Sequence, residues 1–307
     1  MSNGSKKSEL AGLTNRRRFL QALAMLGVGG QTLLRSRDAR GAVYAARAAV
    51  GAPTDWPTMP RRKLGRTNFE ASRLVFGSGA VLARGRKDSL LEAAIDAGIN
   101  VFDVGTRRYY RDAEVNLAPF LKKVRDRIFL ISKAMVYLDV GPNEAISLDQ
   151  SRQAARTWSG LLDQSLSELA VDHVDAYYLM AAHNPSIVAS EELYGAFQKA
   201  KQAGKVMHFG LSTHQNAQRV LEAAMETGWY DLAQIAITPA GWYDWQDKSI
   251  LAGSKPMTGL MPFLERVRES GIGMIGMKAG RYLAGRKFLG WGKPNAFDEH
   301  YDEAFMR

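Results

Sequence analysis

Charged and phenolic side chains follow several short apolar runs of the sequence. Asp103 and Lys133 each end one such run, and Tyr109 and Tyr110 come a few residues after Asp103. A free phenol titrates near pH ~10, and a neighbouring ammonium lowers that pKa because it stabilises the phenolate. A carboxylate in turn keeps the ammonium charged and in place. An Asp, a Lys and a Tyr that meet therefore predict a general acid tuned toward neutral pH.

More polar side chains follow the later apolar runs. His183 lies just beyond one of them, Ser212 and Thr213 end another, and Lys278 ends the last. If the runs are parallel strands of one barrel, their carboxyl ends meet on a single face, which is where barrel enzymes place their catalytic groups. The sequence therefore predicts one site, built from residues that are far apart along the chain.

The apolar runs alternate with amphipathic helical stretches from residue 74 onward. Seven strands are predicted, over Leu74–Phe76, Val101–Phe102, Ile128–Ile131, Ala176–Leu179, Val206–Leu211, Leu232–Ile237 and Ile272–Ile275. A doubly wound dinucleotide fold would need a GxGxxG turn after its first strand, and the turn at Gly77–Ala80 lacks the third glycine. We therefore expect an α/β protein with a (β/α)8 TIM-type barrel over residues 61–307. No eighth strand is predicted after Gly276, so we expect this barrel to lack its last strand and helix.

The first 66 residues carry the whole net charge of +10, and residues 67–307 sum to zero. Arg16, Arg17, Phe19 and Leu20 form an Arg-Arg-x-Phe-Leu sequence before a weakly apolar, glycine-containing run. This layout is typical of a twin-arginine export signal, and the run is too short to be a stable membrane anchor. We expect residues 1–41 to be a signal peptide read by the twin-arginine machinery, residues 42–60 to be a linker, and the protein to be exported to the periplasm or another extracytoplasmic site.

The remaining composition excludes several kinds of site. The chain has no cysteine, which removes disulfides, thiol nucleophiles and cysteine-bound iron–sulfur clusters. No convergent set of His, Asp and Glu follows the predicted strands, so no metal site is expected and a metal-dependent isomerase is disfavoured. Because residues 67–307 carry equal numbers of positive and negative side chains, nucleic-acid binding is not expected either.

Four segments together resemble the aldo/keto reductase family: Arg62–Thr67, Ala97–Asp103, Ala203–His214 and Gly271–Lys278. The resemblance implies a (β/α)8 barrel that uses NADP(H), with NAD(H) as the alternative, for reversible reduction of a small carbonyl compound. The most similar subgroup is bacterial, carries twin-arginine leaders and in some members has an iron–sulfur region, which a chain without cysteine cannot hold.

The family's catalytic tetrad is Asp, Tyr, Lys and His. Asp103 and Lys133 match the first and third positions. The tyrosine aligns on Tyr110 through the acidic helix start that follows, with Tyr109 as the reserve. The family's histidine position holds Met180, which cannot donate a hydrogen bond to a carbonyl oxygen, so His183 is the candidate for that role.

Four residues match the family's cofactor-binding positions. Ser212 stands where a serine binds the nicotinamide carboxamide, Thr213 replaces the usual Asn beside it, and Gln234 matches a strand glutamine with a similar task. Lys278 stands where many members place an aromatic ring against the nicotinamide. The segment that would bind the adenosine 2′-phosphate is not recognised.

These departures leave a second interpretation open. A degenerate or truncated barrel that binds a small molecule without turning it over would also explain Met180 and the missing last strand. The sequence assigns neither the substrate nor the oligomeric state.

Overall fold

Parallel strands alternate with helices along the chain in a computed structural model that describes residues 58–247 and 249–278. The predicted signal peptide, residues 42–57 of the predicted linker and everything after residue 278 lie outside the described residues. Residues 58–60 of the linker have no regular structure.

Eleven strands form within the described residues. They are β1 (Arg61–Lys63), β2 (Glu70–Ser72), β3 (Phe76–Gly77), β4 (Val101–Asp103), β5 (Phe129–Met135), β6 (Val174–Met180), β7 (Val206–Thr213), β8 (Leu232–Thr238), β9 (Gly241–Asp244), β10 (Ser249–Ile250) and β11 (Gly273–Met277).

Nine α-helices lie between them in the same part of the chain. They are α1 (Gly79–Leu82), α2 (Asp88–Asp96), α3 (Arg107–Tyr110), α4 (Ala113–Val124), α5 (Leu148–Leu169), α6 (Pro185–Val188), α7 (Glu191–Gln202), α8 (Ala217–Thr227) and α9 (Met257–Glu269).

The parallel strands follow one another around the sheet in chain order. Strands β3 to β8 pair sequentially, and β11 joins β8 in parallel on the far side. These seven parallel strands are the seven that the sequence predicts, and each is separated from the next by helix, as in a (β/α)8 barrel. An eighth barrel strand would fall outside the described residues.

The inner face of the sheet encloses a small apolar core. Alternate residues of the strands point inward, and this core contains Ile131, Tyr178, Leu232 and Ile275 among others. The antiparallel β1–β2 hairpin covers the amino-terminal end of the strands and adds Leu64 and Ala71 to the same core. That end is therefore filled with side chains, which leaves the carboxyl ends of the strands as the accessible face.

A larger core lies between the outer face of the sheet and the helices. Trp158 of α5 is fully buried there against Tyr177 and Phe209 of the sheet. Helix α5 starts at a capping box, in which Ser147 accepts a hydrogen bond from the Gln150 backbone N–H and the Gln150 side chain bonds back. This cap fixes the start of α5, which follows the loop of residues 136–147 at the carboxyl end of β5.

Neither a membrane-spanning helix nor a cluster of metal-ligating side chains is found among residues 58–247 and 249–278. None of the helices there has the length and apolar character needed to cross a bilayer. The same residues contain no cluster of three or more His, Asp or Glu side chains placed to hold a metal ion.

Candidate active site

Asp103, Lys133 and Gln234 form a closed triangle of contacts at the carboxyl ends of the strands. The Lys133 Nζ lies 2.6 Å from Asp103 Oδ1 and donates a hydrogen bond of 2.7 Å to Asp103 Oδ2. It donates another of 2.9 Å to Gln234 Oε1, and the Gln234 amide donates one of 3.1 Å to Asp103 Oδ2. The structure thus brings together three residues that the sequence singled out, from β4, β5 and β8.

This triangle is buried. Lys133 is 3% exposed and Asp103 is 7% exposed, so each charge depends on the other for stabilisation. Removing one member would leave an uncompensated charge in the barrel interior. The pair therefore has a fixed geometry, which is what a catalytic group that depends on it would need.

Tyr110 lies beside this triangle, between two glycines. A Cβ atom on Gly79 would fall 2.7 Å from the Tyr110 ring, and one on Gly105 would fall 2.9 Å from both that ring and Lys133 Cγ. Any larger residue at either glycine would displace the ring. Tyr109, by contrast, is 43% exposed and contacts Tyr110 edge-on at 4.8 Å between ring centroids. The packing favours Tyr110 over Tyr109 as the tyrosine of the site.

The electrostatics of Tyr110 differ from the expectation. Burial raises the pKa of the Tyr110 phenol well above its ordinary value, and the negative charge of Asp103 raises it further. The sequence led us to expect a lowered pKa from Lys133, but burial of the phenol and the charge of Asp103, which pairs with Lys133 at hydrogen-bond distance, outweigh that effect. Tyr110 therefore holds its proton at neutral pH.

His183 is turned toward β7 and not toward this triangle. Its Nδ1 lies 3.1 Å from Thr213 Oγ1, and that hydroxyl donates its own proton to the Gln215 carbonyl at 2.5 Å. Thr213 must then accept from His183, which places the imidazole proton on Nδ1. Burial lowers the pKa of His183, so the ring is neutral near pH 7 and its Nε2 is an acceptor.

Met180 ends β6 and is 2% exposed. Residue Ala181 follows it with φ of 55° and begins the turn that carries His183 away from the strand. The described contacts therefore do not bring His183 to Asp103, Lys133 or Tyr110, and its catalytic role stays a prediction.

The candidate cofactor residues lie on the later strands of the sheet, on β7 and β8 and just after β11. Ser212 and Gln234 are paired neighbours on β7 and β8, so both side chains point inward next to each other. Thr213 bonds to His183. Lys278 follows β11, and its Nζ lies 4.9 Å from the centroid of the Trp245 ring. A cofactor role for these four residues stays a prediction.

Three functional features are not evident from the sequence. Gly79 precedes β4 and Gly105 follows it, and no sequence motif marks either glycine. Glu114 of α4 is fully buried and accepts a hydrogen bond of 2.6 Å from Ser132, the neighbour of Lys133. Burial raises its pKa from 4.5 to about 7. Glu114 is the second residue of an otherwise apolar helix stripe, and that position is the only signal in the sequence that could have pointed to it.

Comparisons with known proteins agree with this architecture. Two structures of an aldo-keto reductase from Pseudomonas aeruginosa match at 20% identity, with TM-scores of 0.55 and 0.53. The first alignment covers 78% of this chain and 84% of that protein, and the second covers 76% and 83%. An aldo-keto reductase from Bacillus halodurans in its holo form matches at 17% identity and a TM-score of 0.50, over 71% of this chain and 65% of that one.

At these identities the structural likeness establishes the fold alone. A search of curated proteins found no match. The model of the aldo/keto reductase family matches residues 75–252, which include Asp103, Tyr110, Lys133 and Gln234. With its parallel barrel sheet and its buried Asp–Lys pair at the carboxyl ends of the strands, this chain belongs to the aldo/keto reductase family.

Proposed function

We propose that this protein is an NADP(H)-dependent oxidoreductase that reduces an aldehyde or ketone, with Tyr110 as the proton donor. The observation that supports this most directly is the Tyr110 ring held between Gly79 and Gly105, beside the Lys133 side chain. A protonated phenol fixed next to a buried ion pair is suited to deliver a proton to a carbonyl oxygen.

Lys133 and Asp103 would act through Tyr110. As the phenol gives up its proton, negative charge develops on its oxygen, and the nearby ammonium of Lys133 stabilises that charge. Asp103 accepts a hydrogen bond from Lys133 over 2.7 Å and so holds the ammonium in place. The high pKa of Tyr110 in the ground state keeps the proton on the phenol until the substrate oxygen becomes basic enough to take it.

The residues at the carboxyl ends of β7 and β8 fit a nicotinamide. A carboxamide has one donor and one acceptor, and the Ser212 hydroxyl can pair with either, while its cross-strand neighbour Gln234 holds Lys133 and Asp103 beside it. Thr213 and Lys278 would complete the same side of the face. When bound, this cofactor supplies a hydride to the carbonyl carbon, and NAD(H) is the alternative to NADP(H).

The proposal is tested with purified full-length protein. NADPH is titrated by fluorescence, and its oxidation is then followed by absorbance with a panel of small aldehydes and ketones. Saturable NADPH binding and substrate-dependent oxidation are expected. A folded sample that binds neither NADPH nor NADH contradicts the proposal.

Two matched tyrosine variants test the assignment of the proton donor. We expect Tyr110→Phe to lower kcat by on the order of 10²-fold or more, with the dissociation constant for NADPH nearly unchanged, since only proton transfer is lost. Tyr109→Phe removes the neighbouring exposed hydroxyl and should leave kcat within about threefold. The reverse pattern would move the role to Tyr109.

The second candidate function is a binding protein without turnover. It is favoured by Met180, which stands at the end of β6 in the position where the family resemblance implies a histidine. Under this alternative the protein binds the nicotinamide cofactor or a carbonyl compound, but no NADPH is oxidised with any member of the panel.

We further propose that the protein leaves the cytoplasm through the twin-arginine route. The support is the Arg16-Arg17 pair before Phe19 and Leu20, together with the positive charge of residues 1–41. Residues 1–60 fused to a folded reporter should direct it to the periplasm. The double variant Arg16→Lys and Arg17→Lys keeps the charge and should abolish export, whereas unchanged export would rule this route out.

A further inference from the structure

A second tyrosine lies inside the barrel near the Asp–Lys pair. Tyr178 is fully buried and belongs to the inner core, whereas its neighbour Tyr177 belongs to the outer core and bonds to Ser165 over 3.0 Å. Tyr178 is the direct cross-strand neighbour of Lys133, since β5 and β6 pair these two residues. Neighbours in a parallel sheet point to the same face, so both side chains enter the barrel.

The next strand makes room for the Tyr178 ring. Gly210 pairs with Tyr178 across β6 and β7, and a Cβ atom on Gly210 would fall 2.2 Å from Tyr178 Cε1. The ring therefore extends over β7 at a position where only glycine permits it. Hydrogen bonds among Asp103, Lys133 and Gln234 connect β4 and β5 to β8. Strand β6, which carries Tyr178, lies between β5 and β8 in the sheet.

Two buried polar atoms in this region, the Tyr178 hydroxyl and Asp103 Oδ1, lack a hydrogen-bond partner. The Tyr178 hydroxyl has no hydrogen-bond partner, and Asp103 Oδ1 contacts the Lys133 ammonium without accepting an aligned hydrogen bond. One is a donor and the other is an acceptor. A buried polar group without a partner is costly, and the cost disappears when a donor and an acceptor pair with each other.

The charge distribution is consistent with their proximity. The negative charge of Asp103 is one of the two causes that raise the pKa of the Tyr178 phenol, the other being burial. Tyr178 thus keeps its proton over the whole working pH range and remains a donor. The charged and titratable groups that face Asp103 are Lys133 from β5, Tyr110 from α3 and Tyr178 from β6, with the Gln234 amide from β8.

We propose that Tyr178 is a positioning residue for the Asp103–Lys133 pair, and that its hydroxyl donates a hydrogen bond to Asp103 Oδ1 in the working enzyme. This bond fixes the orientation of the carboxylate and withdraws part of its negative charge. Tyr178 touches neither substrate nor cofactor. It acts on Tyr110 only through Asp103 and Lys133, so its kinetic role rests on the proposed function.

The test compares Tyr178→Phe with Tyr177→Phe in the full-length protein. Each variant removes one buried hydroxyl from the same strand, but the Tyr177 hydroxyl faces the helices. We expect Tyr178→Phe to lower kcat about tenfold, to change KM for the carbonyl little, and to move the acidic limb of the kcat profile to higher pH. The shift follows because the carboxylate loses a bond that stabilises its charged form. Its melting temperature should fall only slightly, because a single hydrogen bond is lost.

A second readout does not depend on turnover. The carboxyl carbon of Asp103 is observed by NMR in protein labelled at aspartate, and its chemical shift is expected to move in Tyr178→Phe but to stay at the wild-type position in Tyr177→Phe. An unchanged Asp103 chemical shift together with an unchanged pH profile overturns the inference. If the wild type shows no NADPH oxidation, the proposed function fails, whereas the NMR spectrum still decides the role of Tyr178.

Discussion

Lys133 donates a hydrogen bond to Gln234 over 2.9 Å, so a residue of β5 is tied to one of β8 across the barrel interior. The same glutamine donates to Asp103 at 3.1 Å. Gln234 therefore orients the ion pair, which is a task apart from the cofactor binding that its place in the family implies. The two tasks have separable kinetic consequences.

The variant Gln234→Leu separates them. Because the leucine keeps most of the volume and loses both hydrogen bonds, we expect kcat to fall about tenfold, with the NADPH dissociation constant within about threefold of the wild type. Stopped-flow turnover and fluorescence titration measure the two quantities. Weaker NADPH binding with kcat preserved would instead assign Gln234 to the cofactor.

Gly79 should tolerate no side chain. Its added Cβ would lie 2.7 Å from the Tyr110 ring, so Gly79→Ala should displace the ring and lower kcat by on the order of 10- to 100-fold. Gly77→Ala is the matched control, because a Cβ there meets nothing within 4 Å. Equal activity of the two variants would show that the ring position is not needed for turnover.

Glu114 should make the stability of the protein depend on pH. Its folded-state pKa is raised from 4.5 to about 7, first by burial and then by Glu168, against the hydrogen bonds of Ser132 and Ser165 and the charge of Arg107. The folded state thus binds this proton more tightly than the unfolded chain does. Its stabilising effect is full below pH 4.5 and is lost as the pH rises through about 7.

The variant Glu114→Gln tests this effect. Urea unfolding of the wild type should lose about 3 kcal/mol between pH 4.5 and 8 from this group, whereas the variant should lack that component. Glu92→Gln, which alters a glutamate that is largely exposed, should unfold with the pH dependence of the wild type. A wild-type slope in Glu114→Gln would show that Glu114 is not the group that titrates.

Substitutions at His183 and at Met180 should have different effects on catalysis. His183 donates to Thr213 and is neutral, so we expect His183→Ala to change kcat less than about threefold. Met180→His places an imidazole at the end of β6 and should raise kcat/KM about tenfold, because the ring can donate a hydrogen bond to the carbonyl oxygen. A loss greater than tenfold in His183→Ala would confirm the role that the sequence suggested for it.

The sequence by itself determined the strand and helix alternation, the family and most of the charged site. Asp103 and Lys133 could be found because they end apolar runs, and the ends of parallel strands must meet on one face. The seven strands are apolar on both faces, which is a local pattern that the sequence displays directly.

Only the tertiary structure decided which groups touch. The choice of Tyr110 over Tyr109 depends on Gly79 and Gly105, which lie on either side of Asp103 along the chain and meet at the ring. The pKa of Tyr110 is raised because the phenol is buried and lies near the Asp103 carboxylate, which spacing along the chain does not show. Burial and hydrogen bonding are properties of distances in space, so a sequence can name the participants but cannot rank their interactions.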